Sequence, residues 1–333
     1  MKPPGFWTGT DSASRLAGLL LSPLEPITAA LTARRLRRAG WDAPVPVVCC
    51  GNVGVGGAGK TTLALDLVDR IRQRGIAVHC LTRGYGGSVG AGPLLVDPQR
   101  HDAALVGDEA LLLAGRAPCW VGSDRAASGR AALQAGAQLL LMDDGLQNPG
   151  LMQDFPLLTI DGAVGFGNGR LLPAGPLREP VAVAAARAAC AVLIGPDRTG
   201  AARHLPPGLA ILEADLRMDP DLLRLRGRTL FAFAGIARPG KFFDSLRALG
   251  LTLVGAHGFP DHHRFSHSEL ARLRGEAGRR GATLITTPKD AARLGPAQAS
   301  DLIVAGVSLC WQDQAACDRL IDRLVTDHGP RLQ

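Results

Sequence analysis

A glycine-rich stretch that ends in a lysine and a threonine carries the clearest chemistry in the sequence. It consists of Gly54, Val55, Gly56, Gly57, Ala58, Gly59, Lys60 and Thr61, followed by Thr62, and it matches G-x-x-x-x-G-K-[ST] at every fixed position. In such a loop the backbone N–H groups bind phosphate oxygens, the lysine neutralises phosphate charge and the threonine hydroxyl binds Mg²⁺. We therefore predict that these residues bind ATP and Mg²⁺, and that Lys60 also assists phosphoryl transfer.

Two carboxylates follow a second apolar run. Asp143 and Asp144 come directly after the apolar residues 139–142, and Gly145 follows them. A carboxylate at the end of such a strand lies opposite the phosphate loop and holds Mg²⁺, directly or through water. The alternative is a solvated turn, since Asp-Asp-Gly favours turns. Because the phosphate loop already requires a metal partner, we predict that Asp143 and Asp144 share the magnesium site with Thr61.

A third acidic stretch and a histidine cluster each have more than one interpretation. Asp108 could cap the helix that follows it, and the local sequence favours this role. Residues 259–263, Phe-Pro-Asp-His-His, suit a metal site, a surface turn or an acid–base group. His263 and His267 have the i, i+4 spacing of metal ligands on a helix, but no clear further ligand accompanies them. The residues alone leave these interpretations open.

Short apolar runs alternate with helical patterns from residue 45 onward, which places these candidate residues at the ends of strands. The predicted strands cover residues 45–50, 76–81, 119–121, 138–142, 157–160 and 191–194, and the predicted helices cover 61–74, 109–114 and 125–135. This βαβ pattern predicts a doubly wound, largely parallel sheet. Residues 162–180 are rich in glycine and proline and form a long connection, so we expect a functional loop there.

A second α/β pattern begins after Gly227. Its predicted strands cover residues 230–234, 251–254, 284–286 and 302–304, and its predicted helices cover 241–249 and 268–279. We expect an α/β protein in which a P-loop NTPase-like, doubly wound and mostly parallel sheet is joined to a second, smaller α/β lobe. The predicted division is residues 1–40 for an N-terminal apolar and basic segment, 41–225 for the P-loop domain and 226–333 for the C-terminal lobe.

The composition limits the class of partner. The net charge of +7 favours an anionic partner, but aromatic residues make up only 4% of the chain. Stacking platforms for bases are therefore scarce, and we expect no nucleic-acid partner. No stretch indicates an obligate protein partner. The seven cysteines form no C-x-x-C motif and several lie in apolar runs, which is typical of a protein in a reducing compartment.

The N-terminal segment combines apolar residues with a cluster of arginines. Residues 16–24 are apolar, but prolines interrupt this stretch, and we interpret it as too short to cross a membrane. Residues 29–38 follow and end in four arginines. An amphipathic segment on an anionic membrane surface has this composition, and so does an ordinary surface helix packed on the domain. The segment alone does not decide between the two.

Motifs in a characteristic order give a family resemblance. They occupy residues 51–61, 82–86, 107–109, 143–147, 167–179, 235–239, 259–263 and 286–290. Together they resemble the tetraacyldisaccharide 4′-kinases of lipid A biosynthesis, and the likeness extends from the N-terminal apolar segment to about residue 295. The long Gly/Pro loop and the Asp-His-His stretch are more diagnostic than the phosphate loop. The sequence departs from the expected family pattern at Ala58, Asn148 and Pro288, none of which is a candidate catalytic residue.

The resemblance implies a kinase that works at the cytoplasmic face of the bacterial inner membrane. Such an enzyme moves the γ-phosphate of ATP to the 4′-hydroxyl of an acylated glucosamine disaccharide 1-phosphate, forming lipid IVA. By this likeness Asp108 is the catalytic carboxylate and His262 its histidine partner, with His263 as the second choice. The same likeness places a further group of residues in motifs that line the cleft: Arg83, Gln147, Arg178 and Glu179. It also favours the membrane interpretation of the N-terminal segment, because the acyl chains of the substrate stay in the bilayer.

Two other functions are compatible with a phosphate loop. A nucleotide-switched membrane ATPase would carry a signature lysine where this chain has Val55, which counts against that class. A kinase of a soluble metabolite would have no use for the N-terminal segment. A GTPase is disfavoured because the chain lacks an Asn-Lys-x-Asp motif.

Overall fold

The computed structural model describes residues 4–9, 11–90 and 92–326. The helices are α1 (Ser12–Leu21), α2 (Glu25–Leu36), α3 (Lys60–Gln73), α4 (Ala103–Val106), α5 (Asp108–Ala114), α6 (Arg125–Gln134), α7 (Val181–Arg187), α8 (Pro239–Ala248), α9 (His267–Arg279), α10 (Pro288–Ala299) and α11 (Gln314–Thr326). The strands are β1 (Val47–Gly51), β2 (Val78–Thr82), β3 (Leu94–Leu95), β4 (Cys119–Val121), β5 (Leu139–Asp143), β6 (Phe155–Asp161), β7 (Cys190–Ile194), β8 (Ile211–Met218), β9 (Thr229–Ala234), β10 (Thr252–Gly258), β11 (Thr283–Thr286), β12 (Ile303–Val304) and β13 (Val307–Trp311).

A large sheet carries the phosphate loop. Its strand order is β13-β8-β7-β6-β1-β5-β2-β4-β3, and the pairings are parallel except at the two edges, where β13 and β3 run antiparallel. Strands β1, β2, β5 and β7 are buried along their whole length, which explains their unbroken apolar sequences. The predicted doubly wound, mostly parallel α/β fold is confirmed.

The phosphate loop follows the strand at which the winding of this sheet changes direction. From β1 the chain proceeds through α3 to β2 on one side, whereas β6 lies on the other side of β1. Loops diverge at such a point and leave a crevice at the carboxyl ends of the strands, where ligands bind. Asp143 lies at the carboxyl end of β5, the neighbour of β1, so the two predicted halves of the magnesium site come from adjacent strands.

A second sheet forms the smaller lobe. Its order is β10-β9-β11-β12 and all its pairings are parallel. Buried apolar side chains cover both faces of this sheet, with Phe242, Phe243 and Leu246 of α8 on one side and Leu270 and Leu273 of α9 on the other. This lobe therefore has its own core, and it begins close to the predicted boundary at residue 225.

The C-terminal end of the chain departs from the predicted division. Strand β13 pairs with β8 in the large sheet, and α11 packs on α3 of the same lobe. The range of 226–333 for the second lobe therefore extends too far, since the smaller sheet ends with β12. The sequence reasoning missed β8 and β13 because the edge strand β13 and its neighbour β8 are partly exposed and lack the continuous apolar runs of the buried strands.

The N-terminal segment forms two helices that lie against the Gly/Pro-rich loop. Thr28 Oγ1 donates to Leu172 O at 2.6 Å, Thr32 Oγ1 donates to Arg178 O at 3.0 Å, and Glu25 pairs with Arg170 at 2.8 Å. Residues 16–24, which the sequence analysis judged too short to cross a membrane, lie within a longer helical run. The helical run Ser12–Leu36 has 25 residues and a mean hydropathy of 1.4 in its most apolar window, so by length and composition it could span a bilayer.

Candidate active site

The phosphate loop is held in place by its own backbone and by the Gly/Pro-rich loop. Gly59 has φ of 83° and precedes α3, and a Cβ at this position would meet Ile194 Cδ1 at 2.7 Å. A residue with a side chain would be strained by this backbone conformation and would also displace the end of the Ile194 side chain. Val55 N donates to Pro176 O at 2.8 Å, which ties the loop to the 167–179 stretch. The loop stays partly exposed, as phosphate binding by its N–H groups requires.

Lys60 lies among oxygen atoms at the start of α3. Its Nζ donates to Asn52 Oδ1 at 2.9 Å and forms an ion pair with Asp144 Oδ1 at 3.3 Å. The side chain is only 10% exposed, so the ammonium is fixed rather than mobile. A lysine so placed is suited to bind phosphate oxygens that reach the loop.

Thr61 and Asp143 meet in a buried pair. Thr61 Oγ1 donates to Asp143 Oδ2 at 3.0 Å, and among the described residues nothing hydrogen-bonds to Asp143 Oδ1. Burial raises the pKa of Asp143 to about 7, and the charges of Glu109 and Asp144 act in the same direction. A buried carboxylate with one unsatisfied oxygen beside a threonine hydroxyl fits a Mg²⁺ ion, which would supply the missing positive charge.

Asp144 lies between two cations. It forms ion pairs with Lys60 and, at 3.1 Å, with Arg178. Burial alone would raise the pKa of Asp144, but the two cations outweigh that effect and hold the pKa below its ordinary value. The two neighbouring carboxylates therefore differ in environment: Asp143 contacts Thr61, whereas the ion pairs of Asp144 go to Lys60 and Arg178.

The predicted cleft residues differ in how they are placed. Arg178 Nη1 also donates to Gln147 Oε1 at 3.2 Å, and Gln147 Nε2 donates to Glu179 Oε1 at 2.9 Å. The side chain of Glu179 is fully buried, so it does not line the surface of the cleft; it fixes Gln147 and Arg187 instead. Arg83 is exposed after β2, and Thr62 is half-buried on α3.

Asp108 is the first residue of α5 and is almost completely buried. Gly107, with φ of 85°, occupies the N-cap position, so the favoured interpretation of Asp108 as the cap is wrong. Asp108 Oδ2 contacts Arg293 Nη2 and lies 3.6 Å from His262 Nδ1. Burial would raise the pKa of Asp108, but His262, Lys289 and Arg293 together hold it well below its usual value. The buried carboxylate is therefore ionised.

The three histidines of the cluster have different partners. His262 has φ of 57°, which turns its imidazole towards Asp108, and this carboxylate raises the pKa of His262 above 6.5. His263 instead stacks on Phe259 and pairs with Glu269 at 3.1 Å, while His267 hydrogen-bonds with Gln298. Within residues 4–9, 11–90 and 92–326 no group of three or more His, Cys, Asp or Glu side chains could hold a metal ion. The histidines thus do not form the metal site that the i, i+4 spacing allowed.

A cavity of about 140 Å³ opens beside the Asp108–His262 pair, between the two lobes. Residues of the large lobe and of the second lobe line it together: Tyr85, Gly86, Asp108, His262, Arg264 and Arg293. The ring of Tyr85 lies 5.5 Å from the imidazole of His262, centroid to centroid. The ionised carboxylate is therefore next to a space that a hydroxyl-bearing substrate can enter.

Comparisons with known proteins agree with this arrangement. Residues 17–326 match the family model described as tetraacyldisaccharide-1-P 4′-kinase. The chain belongs to this family. It is 57% identical to the tetraacyldisaccharide 4′-kinase of Gluconacetobacter diazotrophicus, over 97% of this chain and 98% of the relative. It is 48% identical to the protein of that name from Rhodospirillum centenum, over 99% of both chains.

A solved structure of the family has the same fold. The crystal structure of LpxK from Aquifex aeolicus in complex with ATP superposes with a TM-score of 0.75 at 25% sequence identity, and the match covers 92% of this chain and 99% of that one. The family resemblance noted in the sequence is thereby confirmed. The roles of individual site residues are not tested by these similarities and stay predictions.

Sequence reasoning missed the cations of the second lobe and one amide of the first. Lys289 and Arg293 contact Glu109 and Asp108, and Asn52 binds Lys60. Asn52 and Lys289 lie in stretches that carried the resemblance, but nothing in the pattern said what they contact. Arg293 is one helical turn beyond Lys289, so the i, i+4 spacing of two cations on one helix was the available signal.

The paired state of His262 predicts a pH-dependent contribution to stability. Because its pKa in the folded protein is raised above 6.5, the stabilisation is fully present below pH 6.5 and is lost as the pH rises through the folded-state pKa. His262→Asn should therefore lower the melting temperature more at about pH 6 than at about pH 9. Thermal unfolding across this range checks it. In an Asp108→Asn background the same substitution should show no such pH-dependent difference, and an equal difference in both backgrounds would contradict the pairing.

Proposed function

We propose that the protein transfers the γ-phosphate of ATP to the 4′-hydroxyl of tetraacyldisaccharide 1-phosphate, making lipid IVA in lipid A biosynthesis. The family match carries this proposal, because it includes the phosphate loop, the Asp-Asp pair, the Gly/Pro-rich loop and the Asp-His-His stretch in one chain. The convergence of Asp108 and His262 on a cavity between the lobes supports it.

The phosphate half of the reaction belongs to the large lobe. The N–H groups of the loop would bind the phosphates of ATP, with Lys60 on the β- and γ-phosphates. Thr61 and Asp143 would hold Mg²⁺, which neutralises charge on the transferring phosphoryl group when bound. Asp144 keeps Lys60 and Arg178 in place beside the loop, so its contribution to the metal site is indirect.

The acceptor half depends on Asp108. Its ionised carboxylate would take the proton of the 4′-hydroxyl as the oxygen attacks the γ-phosphorus. The new O–P bond forms, the bond from the γ-phosphorus to the bridging oxygen breaks, and ADP leaves with that electron pair. His262, on the same carboxylate oxygen, would fix the orientation of Asp108 and balance its charge.

Two arginines near the cleft are suited to bind the phosphate group of the disaccharide substrate. Arg178 is partly exposed and is held by Asp144 and Gln147, so its guanidinium is preorganised. Arg83 is exposed on the loop that follows β2. We assign these two side chains to substrate phosphate or sugar hydroxyl groups, and Gln147 and Glu179 to holding Arg178 and its neighbours.

The N-terminal helices would place the enzyme on the cytoplasmic face of the inner membrane. Leu16, Leu19, Leu20, Ile27 and Leu31 are each more than half exposed. Such a concentration of exposed apolar side chains marks a surface that binds a membrane or another protein. The arginines at the end of α2 add attraction for anionic lipid headgroups. Because α2 hydrogen-bonds to the loop at residues 168–178, we favour helices that lie in the interface over a span.

A phosphotransfer assay tests the function. The full chain in detergent micelles, given labelled ATP, Mg²⁺ and the disaccharide lipid, should label the lipid. Asp108→Asn should lower kcat by on the order of 10²–10⁴ while leaving the affinity for ATP nearly unchanged, since the base acts only in the transfer. Asp301→Asn, which removes an exposed carboxylate of the second lobe, is the control. ATP hydrolysis without lipid labelling, from protein shown to be folded, would overturn the kinase function.

A vesicle assay tests the membrane surface. The triple variant Leu16→Ser, Leu20→Ser and Ile27→Ser should bind vesicles containing anionic phospholipid at least about tenfold more weakly, because each exposed side chain gains about 1.5–3 kcal/mol when fully buried. The control replaces three exposed apolar residues elsewhere, Leu95, Leu223 and Val254, with serine. Sedimentation with the vesicles measures both. Equal loss of binding in the two triple variants would contradict a membrane surface on the N-terminal helices.

A further inference from the structure

Arg293 is a buried cation to which the reaction described above gives no task. Its side chain is 5% exposed, although arginine is rarely buried without a specific reason. One guanidinium nitrogen, Nη2, contacts Asp108 Oδ2 in the large lobe. The other, Nη1, donates to Asp290 Oδ1 at 2.8 Å and to Gly235 O at 2.6 Å in the second lobe. The two ends of this planar group therefore join the two lobes.

Gly235 fixes the second-lobe end of this connection. Its N–H donates to both oxygens of the fully buried Asp290, at 3.1 Å each, and Thr287 Oγ1 donates to Asp290 Oδ2 at 2.6 Å. The carbonyl oxygen of Gly235 accepts from Arg293 and also from the backbone N–H of His262 at 3.1 Å. The guanidinium and the imidazole that approach Asp108 are thus positioned by one peptide.

A second ion pair, beside the pair between Arg293 and Asp108, also joins the two lobes. Lys289 lies one helical turn before Arg293 on α10, and its Nζ binds Glu109 Oε1 at 2.7 Å. Its partner Glu109 is the neighbour of Asp108 on α5, so α10 and α5 meet through two adjacent pairs. The pairs differ in one respect: Arg293 touches the carboxylate of Asp108, whereas the hydrogen bond of Lys289 goes to Glu109.

We propose that Arg293 is a positioning residue for the transfer reaction: it ties Asp108 Oδ2 to the Gly235–Asp290 corner of the second lobe, so that Asp108 and His262 keep one geometry. This inference rests on the proposed role of Asp108 as the proton acceptor. Only a guanidinium can form this connection, because its planar fork reaches two carboxylates and a carbonyl at once. An error of about 1 Å in the position of a catalytic group can cost on the order of a hundredfold in rate.

The imidazole of His262 reports on this connection. The charged groups around it are Asp108 from α5, Asp261 on its own loop, and Arg293 from α10. Arg293 lies 3.4 Å from His262 Nδ1 and competes with it for Asp108. Without the guanidinium, His262 would lose a repelling positive charge and would no longer share the Asp108 carboxylate with Arg293. Each of these changes raises the pKa of His262.

The experiment compares Arg293→Gln with the wild type as full-length protein in detergent micelles. We expect kcat for lipid phosphorylation to fall about tenfold to a hundredfold, with the KM for ATP changed less than about threefold. NMR of ¹³C-histidine-labelled protein should show the His262 titration moved up by about one pH unit. The His262→Asn variant identifies that signal. Arg274→Gln, which removes another second-lobe arginine paired with Asp301, should change neither quantity.

The outcomes separate this inference from the proposed function. If Asp108→Asn retains full activity, the assignment of Asp108 as the base fails, whatever Arg293 does. If Asp108→Asn abolishes transfer but Arg293→Gln leaves both kcat and the His262 titration unchanged, the positioning role of Arg293 is overturned. Should Arg293→Gln lack a cooperative unfolding transition, Arg293→Lys takes its place under the same criteria. It keeps the charge but loses the fork, so unaltered kcat in that variant would also overturn the proposal.

Discussion

A carboxylate buried between two lobes must be paired or lose its charge, and the site is organised around this constraint. Asp108 is 3% exposed, so ionisation would be costly without nearby cations. The second lobe supplies them: Arg293 and His262 contact its carboxylate, and Lys289 lies beside it on Glu109. While the two lobes are in contact, the cations of the second lobe offset the burial of Asp108 and keep the residue proposed to accept the proton ionised.

The residues proposed to bind phosphate and metal are positioned within the large lobe alone. Asp143 ends β5 and Asp144 follows it, and Lys60 and Thr61 begin α3 after the loop that follows β1, the strand paired with β5. Lys60 already binds Asn52 and Asp144, and Thr61 already binds Asp143. The residues proposed to bind phosphate and metal are thus held in place within the large lobe, whereas the proposed acceptor chemistry needs both lobes. This division allows nucleotide binding to precede assembly of the transfer site.

Sequence patterns predicted the parts of the structure that depend on local sequence and on apolar periodicity. The buried strands, the phosphate loop and its helix were found because their signals lie within one short stretch. The edge strand β13 and its neighbour β8 were missed, since partial exposure mixes polar residues into their sequences. The return of the C-terminal segment to the large sheet could not be predicted because it depends on pairing between residues about ninety positions apart along the chain.

Contacts between residues far apart in the sequence also limited the prediction of the site. The family resemblance indicated Asp108 and a histidine but left His262 and His263 as alternatives, because adjacent residues differ only in the direction of their side chains. Backbone conformation separates them, since the positive φ of His262 turns it to Asp108 while His263 stacks on Phe259. Arg293 was not predicted, because an arginine in a helix of the second lobe has no local feature that identifies a partner in α5.

A crystal structure of the protein with Mg²⁺ and a non-hydrolysable ATP analogue tests the central claim most directly. The measured quantities are the distances from the γ-phosphorus to the carboxylate of Asp108 and from that carboxylate to His262. We predict that Asp108 faces the γ-phosphate with space between them for one hydroxyl group, while His262 and Arg293 remain on the carboxylate. A γ-phosphate that points away from Asp108, or an Asp108 paired with neither His262 nor Arg293 in that complex, would contradict the account.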